Sequence, residues 1–158
     1  MVESDKDQVV VFTDGGCLGN PGPGGWAAVL LYKGHRKEIS GGFRHTTNNR
    51  MELMAVIQAL AAIKDRRKVV VHSDSQYVVN SIEQGWAARW KRNGWRKNRK
   101  EPALNPDLWE RLLDLCARQD VKFLWVRGHS GEVENERCDV LAREAAERKG
   151  LPPDPGYG

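Results

Sequence analysis

Two spacings of apolar residues alternate along the chain and predict which segments are strands and which are helices. Short apolar runs that end in turn-forming residues are typical of buried strands, and apolar residues three and four positions apart are typical of helices. Strands are predicted at 8–15, 26–32, 36–43, 68–74 and 121–126. Helices are predicted at 49–63, 75–85, within 86–101, at 107–118 and at 133–150. The segment 18–25 is predicted to be a turn because it is rich in glycine and proline.

The order of these elements predicts an α/β domain with one mixed sheet. Short links join the first three strands, so we expect an antiparallel meander, whereas the last two strands follow helices and are expected to be parallel. Helices should then cover both faces of a five-stranded sheet. The chain has 158 residues, the usual length of one domain. We expect a disordered tail at 1–7, the folded domain at 8–150 and a flexible tail at 151–158.

The composition argues against several classes of protein. No apolar run approaches the roughly 18 residues of a membrane-spanning helix, and the polar, acidic start of the chain is unlike a signal peptide. Cys17, Cys116 and Cys138 are too few and too irregularly spaced for a disulfide framework or a zinc module. We therefore expect a cytoplasmic protein without a membrane partner.

Positive charge is concentrated in one stretch of the chain. The net charge is +4, yet residues 86–100 hold seven basic residues and no acidic one. The remaining residues together carry more acidic than basic groups. A local basic patch of this kind indicates a polyanionic partner such as a nucleic acid. Trp86 and Trp90 are four residues apart and share a helix face, and at least one of them is expected to pack against the body of the protein.

Aspartates end two of the predicted strands. Asp14 follows the apolar run VVVFT, and Asp74 follows VVVHS. If both strands are central and parallel, their carboxyl ends open onto one crevice, which is where open α/β sheets bind ligands. Two neighbouring carboxylates need a cation to stay ionised, and hard oxygen ligands favour Mg²⁺ or Mn²⁺. Each aspartate has an alternative interpretation as a helix cap or a turn former, and the spacing leaves both interpretations open.

Three further side chains have both a structural and a chemical interpretation. Asn49 and Glu52 have the spacing of a capping box, with Asn49 as the N-cap, which would make Glu52 a structural residue. Asp139 falls in the first turns of the last helix, where the helix dipole favours a carboxylate. His129 lies in a glycine-flanked polar loop, either simply exposed or as a proton carrier.

Five motifs occur together and in order, namely FTDGGCLGNPGPGGWAAVL, TTNNRMELMAVIQAL, SDSQYV, WKRNGW and GHSGEVENERCDVLA. Through them the chain closely resembles the bacterial type 1 ribonuclease H over about residues 8–148. The resemblance implies the ribonuclease H fold, with residues 8–150 as the catalytic domain. It also implies endonucleolytic cleavage of the RNA strand of an RNA–DNA hybrid, which leaves 5′-phosphate and 3′-hydroxyl ends.

The resemblance implies roles for individual residues as well. The family's metal-binding carboxylates correspond to Asp14, Glu52, Asp74 and Asp139, and its mobile catalytic histidine corresponds to His129. Contacts to the hybrid near the cut correspond to Asn20, Asn48, Asn49 and Gln76. A pocket for a phosphate of the DNA strand corresponds to Thr47 and Asn105. The basic protrusion that holds the DNA strand corresponds to Trp86, Lys91, Arg92 and Trp95. Where the pocket often includes an arginine, this chain has His45.

The expected chemistry is an in-line attack of water on the RNA phosphate between two Mg²⁺ ions about 4 Å apart, with Mn²⁺ as a possible substitute. We expect a monomer that needs no protein partner and that removes RNA primers and R-loops during DNA replication. Two alternatives stay open at this point. One is another nuclease of the same fold, such as an exonuclease or a strand-transfer enzyme, and the other is a hybrid-binding module without catalysis.

Overall fold

The computed structural model describes residues 7–127 and 131–157, which form a central sheet with helices on both faces. The strands are β1 (Gln8–Cys17), β2 (Gly22–Tyr32), β3 (His35–Thr46), β4 (Lys68–Ser73) and β5 (Asp120–Trp125). The helices are α1 (Asn48–Ala61), α2 (Gln76–Glu83), α3 (Trp86–Arg92), α4 (Pro106–Arg118) and α5 (Val133–Ala146). The predicted order of elements is confirmed.

The sheet has the strand order β3-β2-β1-β4-β5. The β1–β2 and β2–β3 pairs are antiparallel, whereas the β1–β4 and β4–β5 pairs are parallel. The predicted five-stranded mixed sheet is therefore confirmed. Since β1 is the middle strand, its carboxyl end lies beside that of its parallel neighbour β4.

Helices cover both faces because successive residues of a strand point to opposite sides of the sheet. Val9 and Val11 of β1 pack into the larger core, which includes α1, α2 and α4. Phe12, on the other face, packs with Cys138 and Leu141 of α5. The central strand is therefore buried on both sides, as its continuous apolar run predicts.

Strand β2 begins at Gly22 rather than at Trp26, so the predicted turn at 18–25 is shorter than expected. The glycines there permit close packing. A Cβ on Gly25 would collide with the main-chain oxygen of Ala142 in α5. Glycine content suggests a turn when the sequence is considered alone, whereas here it lets a helix lie directly on a strand.

Helix α1 begins at Asn48 and is capped by Thr47, whose side-chain oxygen accepts a hydrogen bond from the backbone N–H of Arg50. The predicted capping box with Asn49 as N-cap is therefore wrong. Thr47 has the extended backbone that an N-cap requires, with φ −127° and ψ 161°, whereas Asn49 is already helical. Glu52 consequently has no capping role and is available for another one.

The segment 151–157 is not the flexible tail that we expected. The backbone N–H of Arg44 donates to the carbonyl of Pro152 at 2.9 Å, which places the segment beside the end of β3. Asp154 is only 4% exposed and accepts a hydrogen bond from the buried guanidinium of Arg50. A buried ion pair therefore holds a segment whose proline and glycine content suggested looseness.

The amino-terminal tail predicted at 1–7 lies outside the described residues except for Asp7. The Asp7 carboxylate forms an exposed ion pair with Lys33 at 3.2 Å. Among the described residues, no helix is long and apolar enough to cross a bilayer.

Helix α3 and the loop that follows it carry the basic stretch 86–100. Trp90 packs edge-on against Trp109 of α4, with ring centroids 6.0 Å apart, whereas Trp86 is 39% exposed. One of the two tryptophans on this helix face therefore packs against the body of the protein, as predicted. Trp95 also packs partly against the core and has a left-handed backbone with φ 63°.

Candidate active site

Three carboxylates meet at the carboxyl ends of the two central parallel strands. Asp14 lies in β1 and Asp74 directly follows β4, and the residues just before them, Thr13 and Ser73, are partners in the strand register. Glu52 of α1 completes the group. One oxygen from each of the three carboxylates lies within 4.8 Å of the others. The crevice expected from the two strand ends is therefore present, and it contains a third acid.

Gly15 allows α1 to approach β1 closely enough to bring Glu52 beside Asp14. A Cβ on Gly15 would collide with the main-chain carbonyl of Met51. The backbone N–H of Gly15 donates to both acids, at 2.9 Å to Asp14 Oδ1 and 3.0 Å to Glu52 Oε1. The glycine that follows Asp14 thus serves a helix–strand contact.

Burial and repulsion between neighbouring carboxylates make Asp14 and Glu52 hold protons more tightly. Burial first, and then the charge of Asp74, raise the pKa of Asp14 to about 7. Burial and the charges of Asp14 and Asp74 also raise the pKa of Glu52 well above its usual value. In addition, Glu52 Oε2 is buried and has no hydrogen-bond partner among the described residues.

This donor set fits a divalent metal ion. Carboxylate oxygens are hard ligands of the kind that Mg²⁺ and Mn²⁺ prefer. A cation among the three acids would neutralise the repulsion that raises the pKa values of Asp14 and Glu52, and it would supply a partner for Glu52 Oε2. Asp14, Glu52 and Asp74 are therefore the residues that could hold metal.

Asp139, the fourth predicted ligand, lies across a small cavity from this group. The cavity has a volume of about 180 Å³ and is lined by Asp14 and by Asp139 of α5. Asp139 forms an ion pair with Arg143 at 2.7 Å, one helical turn further on. Its charge nevertheless contributes to the raised pKa of Asp14. The structure therefore brings three of the four predicted ligands together and places the fourth at the rim.

His129 lies outside the described residues, so its catalytic role stays a prediction. Among the predicted hybrid contacts, Asn20 and Asn48 are joined, because the backbone N–H of Asn48 donates to Asn20 Oδ1 at 3.1 Å. Asn48 Oδ1 in turn accepts a hydrogen bond from the backbone N–H of Cys17 at 2.8 Å. These bonds tie the start of α1 to the loop that follows β1.

Asn49 and Gln76 are exposed in the first turns of their helices. Gln76 is the first residue of α2, directly after the N-cap Ser75, whose hydroxyl accepts from the backbone N–H of Val78. The side chain of Gln76 therefore has no capping role. Each of these residues lies at the start of a helix that follows a strand. Both helices begin at the edge of the sheet where the carboxylates lie.

Arg50, which the sequence motifs did not single out, joins the two residues predicted for the phosphate pocket. Its backbone N–H donates to Thr47 Oγ1 at 3.3 Å, and its guanidinium donates to Asn105 Oδ1 at 3.3 Å. Arg50 is only 1% exposed. One signal could have found it, because Arg50 lies on the same helix face as Leu53 and Ile57, three and seven residues further on.

Comparison with known proteins agrees with this geometry. The RNase H family model matches residues 6–147. The ribonuclease H of Syntrophus aciditrophicus (strain SB) is 64% identical over 96% of this chain and 88% of its own length. That of Desulforamulus reducens is 62% identical over 93% of this chain and 92% of its own length.

Solved structures show the same likeness. The crystal structure of LC9-RNase H1, a type 1 RNase H with the type 2 active-site motif, is 33% identical with a TM-score of 0.79, over 92% of this chain and 74% of that one. The sheet, the carboxylate group and these matches define an endoribonuclease of the RNase H type. The chain belongs to the ribonuclease H family, and the resemblance to bacterial members that its motifs predict is confirmed.

Proposed function

We propose that this protein hydrolyses the RNA strand of RNA–DNA hybrids with two Mg²⁺ ions held by Asp14, Glu52, Asp74 and Asp139. The observation that carries this proposal is the group of three carboxylates whose oxygens lie within 4.8 Å of one another. Membership of the ribonuclease H family supports the substrate. Hard oxygen donors support Mg²⁺, with Mn²⁺ as a substitute.

The position of each carboxylate determines its proposed role in metal binding. When bound, the metal ions lower the pKa of a water molecule and offset negative charge on the reacting phosphate. Asp14 would be the shared metal ligand, since its carboxylate interacts with those of Glu52, Asp74 and Asp139. Asp139 would exchange its ion pair with Arg143 for a place in the site.

His129 would relay a proton or assist product release, because an imidazole titrates near neutral pH. Its loss should cost less than the loss of Asp14, since water can replace a proton carrier in part. The products would be a 5′-phosphate and a 3′-hydroxyl.

Two surfaces would hold the two strands of the hybrid. Exposed amides beside the carboxylates would contact the RNA strand near its 2′-hydroxyl groups, the feature that distinguishes RNA from DNA. These amides belong to Asn20, Asn48, Asn49 and Gln76. The DNA strand would lie against the phosphate pocket and the basic stretch, where backbone contacts confer little base specificity. These contacts belong to Thr47, Asn105, Trp86, Lys91, Arg92 and Trp95.

In the cell, such an activity would remove RNA primers and R-loops during DNA replication. We propose that the protein acts in the cytoplasm as a monomer without an obligatory protein partner. Residues 8–150 would form the catalytic domain, with segment 151–157 docked against it through Asp154 and Arg50.

The test is cleavage of one labelled sequence prepared as RNA–DNA hybrid, duplex RNA, duplex DNA and single-stranded RNA, each with Mg²⁺ and with chelator. We expect internal cuts only in the RNA of the hybrid and only with metal. Asp14→Asn should lower the rate roughly 1,000-fold or more, because an amide cannot supply the charge of the shared ligand.

Glu110→Gln is the matched control, because Glu110 is an exposed carboxylate on α4. It should cleave at the wild-type rate. Near-normal cleavage by Asp14→Asn would refute the metal assignment. Tight hybrid binding by the wild type without any cut would make the protein a binding module.

A further inference from the structure

We propose that Arg50 is a positioning residue for the phosphate pocket. In this proposal it turns the amide of Asn105 so that the NH₂ group faces the DNA phosphate, and buried Asp154 holds Arg50 in place. The inference rests on the proposed function, since it concerns how the hybrid is held. It adds the C-terminal segment 151–157 to the parts of the chain that determine substrate binding.

The guanidinium of Arg50 uses its full set of hydrogen-bond donors. Nε and Nη2 donate to the carboxylate of Asp154 at 2.7 and 3.0 Å. Nη1 and Nη2 donate to the carboxylate of Asp107 at 2.9 and 2.7 Å. Nη1 also donates to Asn105 Oδ1 at 3.3 Å. A guanidinium has five N–H donors, so none is left for a substrate.

Arg50 therefore does not act as a phosphate ligand itself. Its single positive charge already faces the two carboxylates of Asp107 and Asp154, so the cluster carries no surplus positive charge. Within the predicted pocket, Thr47 and Asn105 would therefore contact a phosphate through neutral O–H and N–H groups.

The contact with Arg50 sets the orientation of the Asn105 amide. Arginine can only donate, so the oxygen of the amide must face it and the NH₂ group must face away. An anion requires that orientation, because only the NH₂ group can donate to a phosphate oxygen. If the amide were flipped, its oxygen would point at the anion and repel it.

The backbone of Asn105 keeps this amide from serving its own helix. Asn105 is the N-cap of α4 but has a left-handed backbone, with φ 59° and ψ 42°, and makes no side-chain cap hydrogen bond. The side chain of an asparagine at an N-cap normally accepts a hydrogen bond from a backbone N–H in the first turn of the helix. Here the side chain is committed to Arg50 instead.

The C-terminal segment closes the cluster from the other side. Asp154 is 4% exposed and also accepts a hydrogen bond from Thr46 Oγ1 at 2.7 Å. Gly156 packs so closely that an added Cβ would collide with the carboxylate of Asp107. The ring of Tyr157 lies 5.5 Å from that of His45, the residue found where the family often has arginine. The segment thus forms one wall beside the predicted pocket.

The test replaces single phosphates of the DNA strand with uncharged methylphosphonates, one position at a time. Wild-type protein should show a raised KM at one position, the phosphate that the pocket holds. Arg50→Lys should raise KM for the unmodified hybrid roughly 5-fold with kcat within about 2-fold, since a point charge cannot replace the planar fork. It should also lose most of its sensitivity to the methylphosphonate, as should Asn105→Ala.

Asp154→Asn is the second variant, because it keeps Arg50 and changes only the group that holds it. It should give the same loss of methylphosphonate sensitivity in weaker form. Arg36→Lys is the control, since Arg36 is an exposed arginine that also bridges two carboxylates, Glu38 and Glu134. It should leave both KM and the sensitivity unchanged. Thermal unfolding of each variant verifies that it is folded at the assay temperature.

Hybrid affinity is measured in parallel with chelator present, where no cleavage is expected, so that the pocket is assessed separately from catalysis. If the wild type binds hybrid without cutting it, the proposed function fails, and the methylphosphonate effect on affinity still tests the role of Arg50. If Arg50→Lys keeps the full sensitivity that Asn105→Ala loses, the positioning role is refuted. A wild type with no sensitive phosphate would refute it as well.

Discussion

Arg50 and Glu52 are two residues apart in the first turns of α1, and both are charged and buried, with 1% and 8% exposure. Their surroundings differ completely. Arg50 meets two carboxylates and an amide that satisfy its donors. Glu52 meets two further acids, and one of its oxygens has no hydrogen-bond partner among the described residues.

The pKa values of the aspartates around Arg50 and of the aspartate beside Glu52 shift in opposite directions. Hydrogen bonds from Arg50 hold the pKa of Asp107 below its usual value. Burial raises the pKa of Asp154, but hydrogen bonds from Arg50 and Thr46 outweigh burial and lower it. Burial and like charge instead raise the pKa of Asp14 to about 7. A buried charge that is fully paired supports the structure, and a group of neighbouring like charges marks a place where a ligand completes the chemistry.

The largest effect on stability is expected when the paired cluster is broken. Arg50→Met should lower the free energy of unfolding by about 3–5 kcal/mol, because it leaves two carboxylates without their buried partner. Urea unfolding measures this. Arg36→Met, which removes the exposed ion pairs of Arg36 with Glu38 and Glu134, should cost much less, because water screens exposed charges. Equal losses for the two variants would contradict the contrast between buried and exposed pairs.

A change in Gly15 should act on the carboxylate site without touching the Arg50 cluster. Gly15→Ala should lower the free energy of unfolding by about 1–3 kcal/mol and reduce cleavage, because the new methyl group collides with the main chain of Met51 and pushes Glu52 away from Asp14. Gly16→Ala is the control, since its nearest neighbour, Asn48 Oδ1, would lie 3.8 Å from the new Cβ. Activity in Gly15→Ala equal to that in Gly16→Ala would contradict this account.

The smallest effect is a gain in stability when a carboxylate is neutralised. The pKa of Asp14 rises from 3.8 to about 7 on folding, so the folded protein binds more protons between these pH values and loses stability as pH rises through them. Without metal, Asp14→Asn should therefore be more stable than wild type at pH 8 and about equal to it at pH 4. Chelator-treated samples unfolded in urea at each pH test this.

The Arg50 cluster should show the opposite pH dependence. Because the pKa values of Asp107 and Asp154 are lowered, the stability that these carboxylates contribute is present above the usual aspartate pKa and is lost as pH falls below about 4.

Adding Mg²⁺ at pH 8 should stabilise the wild type but not Asp14→Asn, since a ligand that binds the folded state stabilises it. If Mg²⁺ stabilised both proteins equally, Asp14 would not be needed for metal binding.

The pattern of apolar residues was enough to predict the sheet, and particular residues show where it was not. The positions of Asp14 and Asp74 at the end of the β1–β4 ladder were predictable because both follow apolar runs, although β1 itself continues to Cys17. The start of β2 was placed too late, because glycines that admit a helix resemble glycines that form a turn. The cap of α1 was misplaced by two residues, from Thr47 to Asn49, because both types are good N-caps.

By itself, the sequence determined the order of the elements, the mixed sheet, the two strand-end aspartates and, through its motifs, the family. Those features depend on local periodicity and on residue types that lie close together in the chain. Tertiary structure alone decided that Asp154 meets Arg50, across 104 positions of the chain. The residue pattern by itself left Glu52 between a capping role and a chemical one, and the fold placed it beside Asp14. Whether a buried charge finds a counter-charge or a like charge depends on which distant segments pack against it, and no local pattern encodes that.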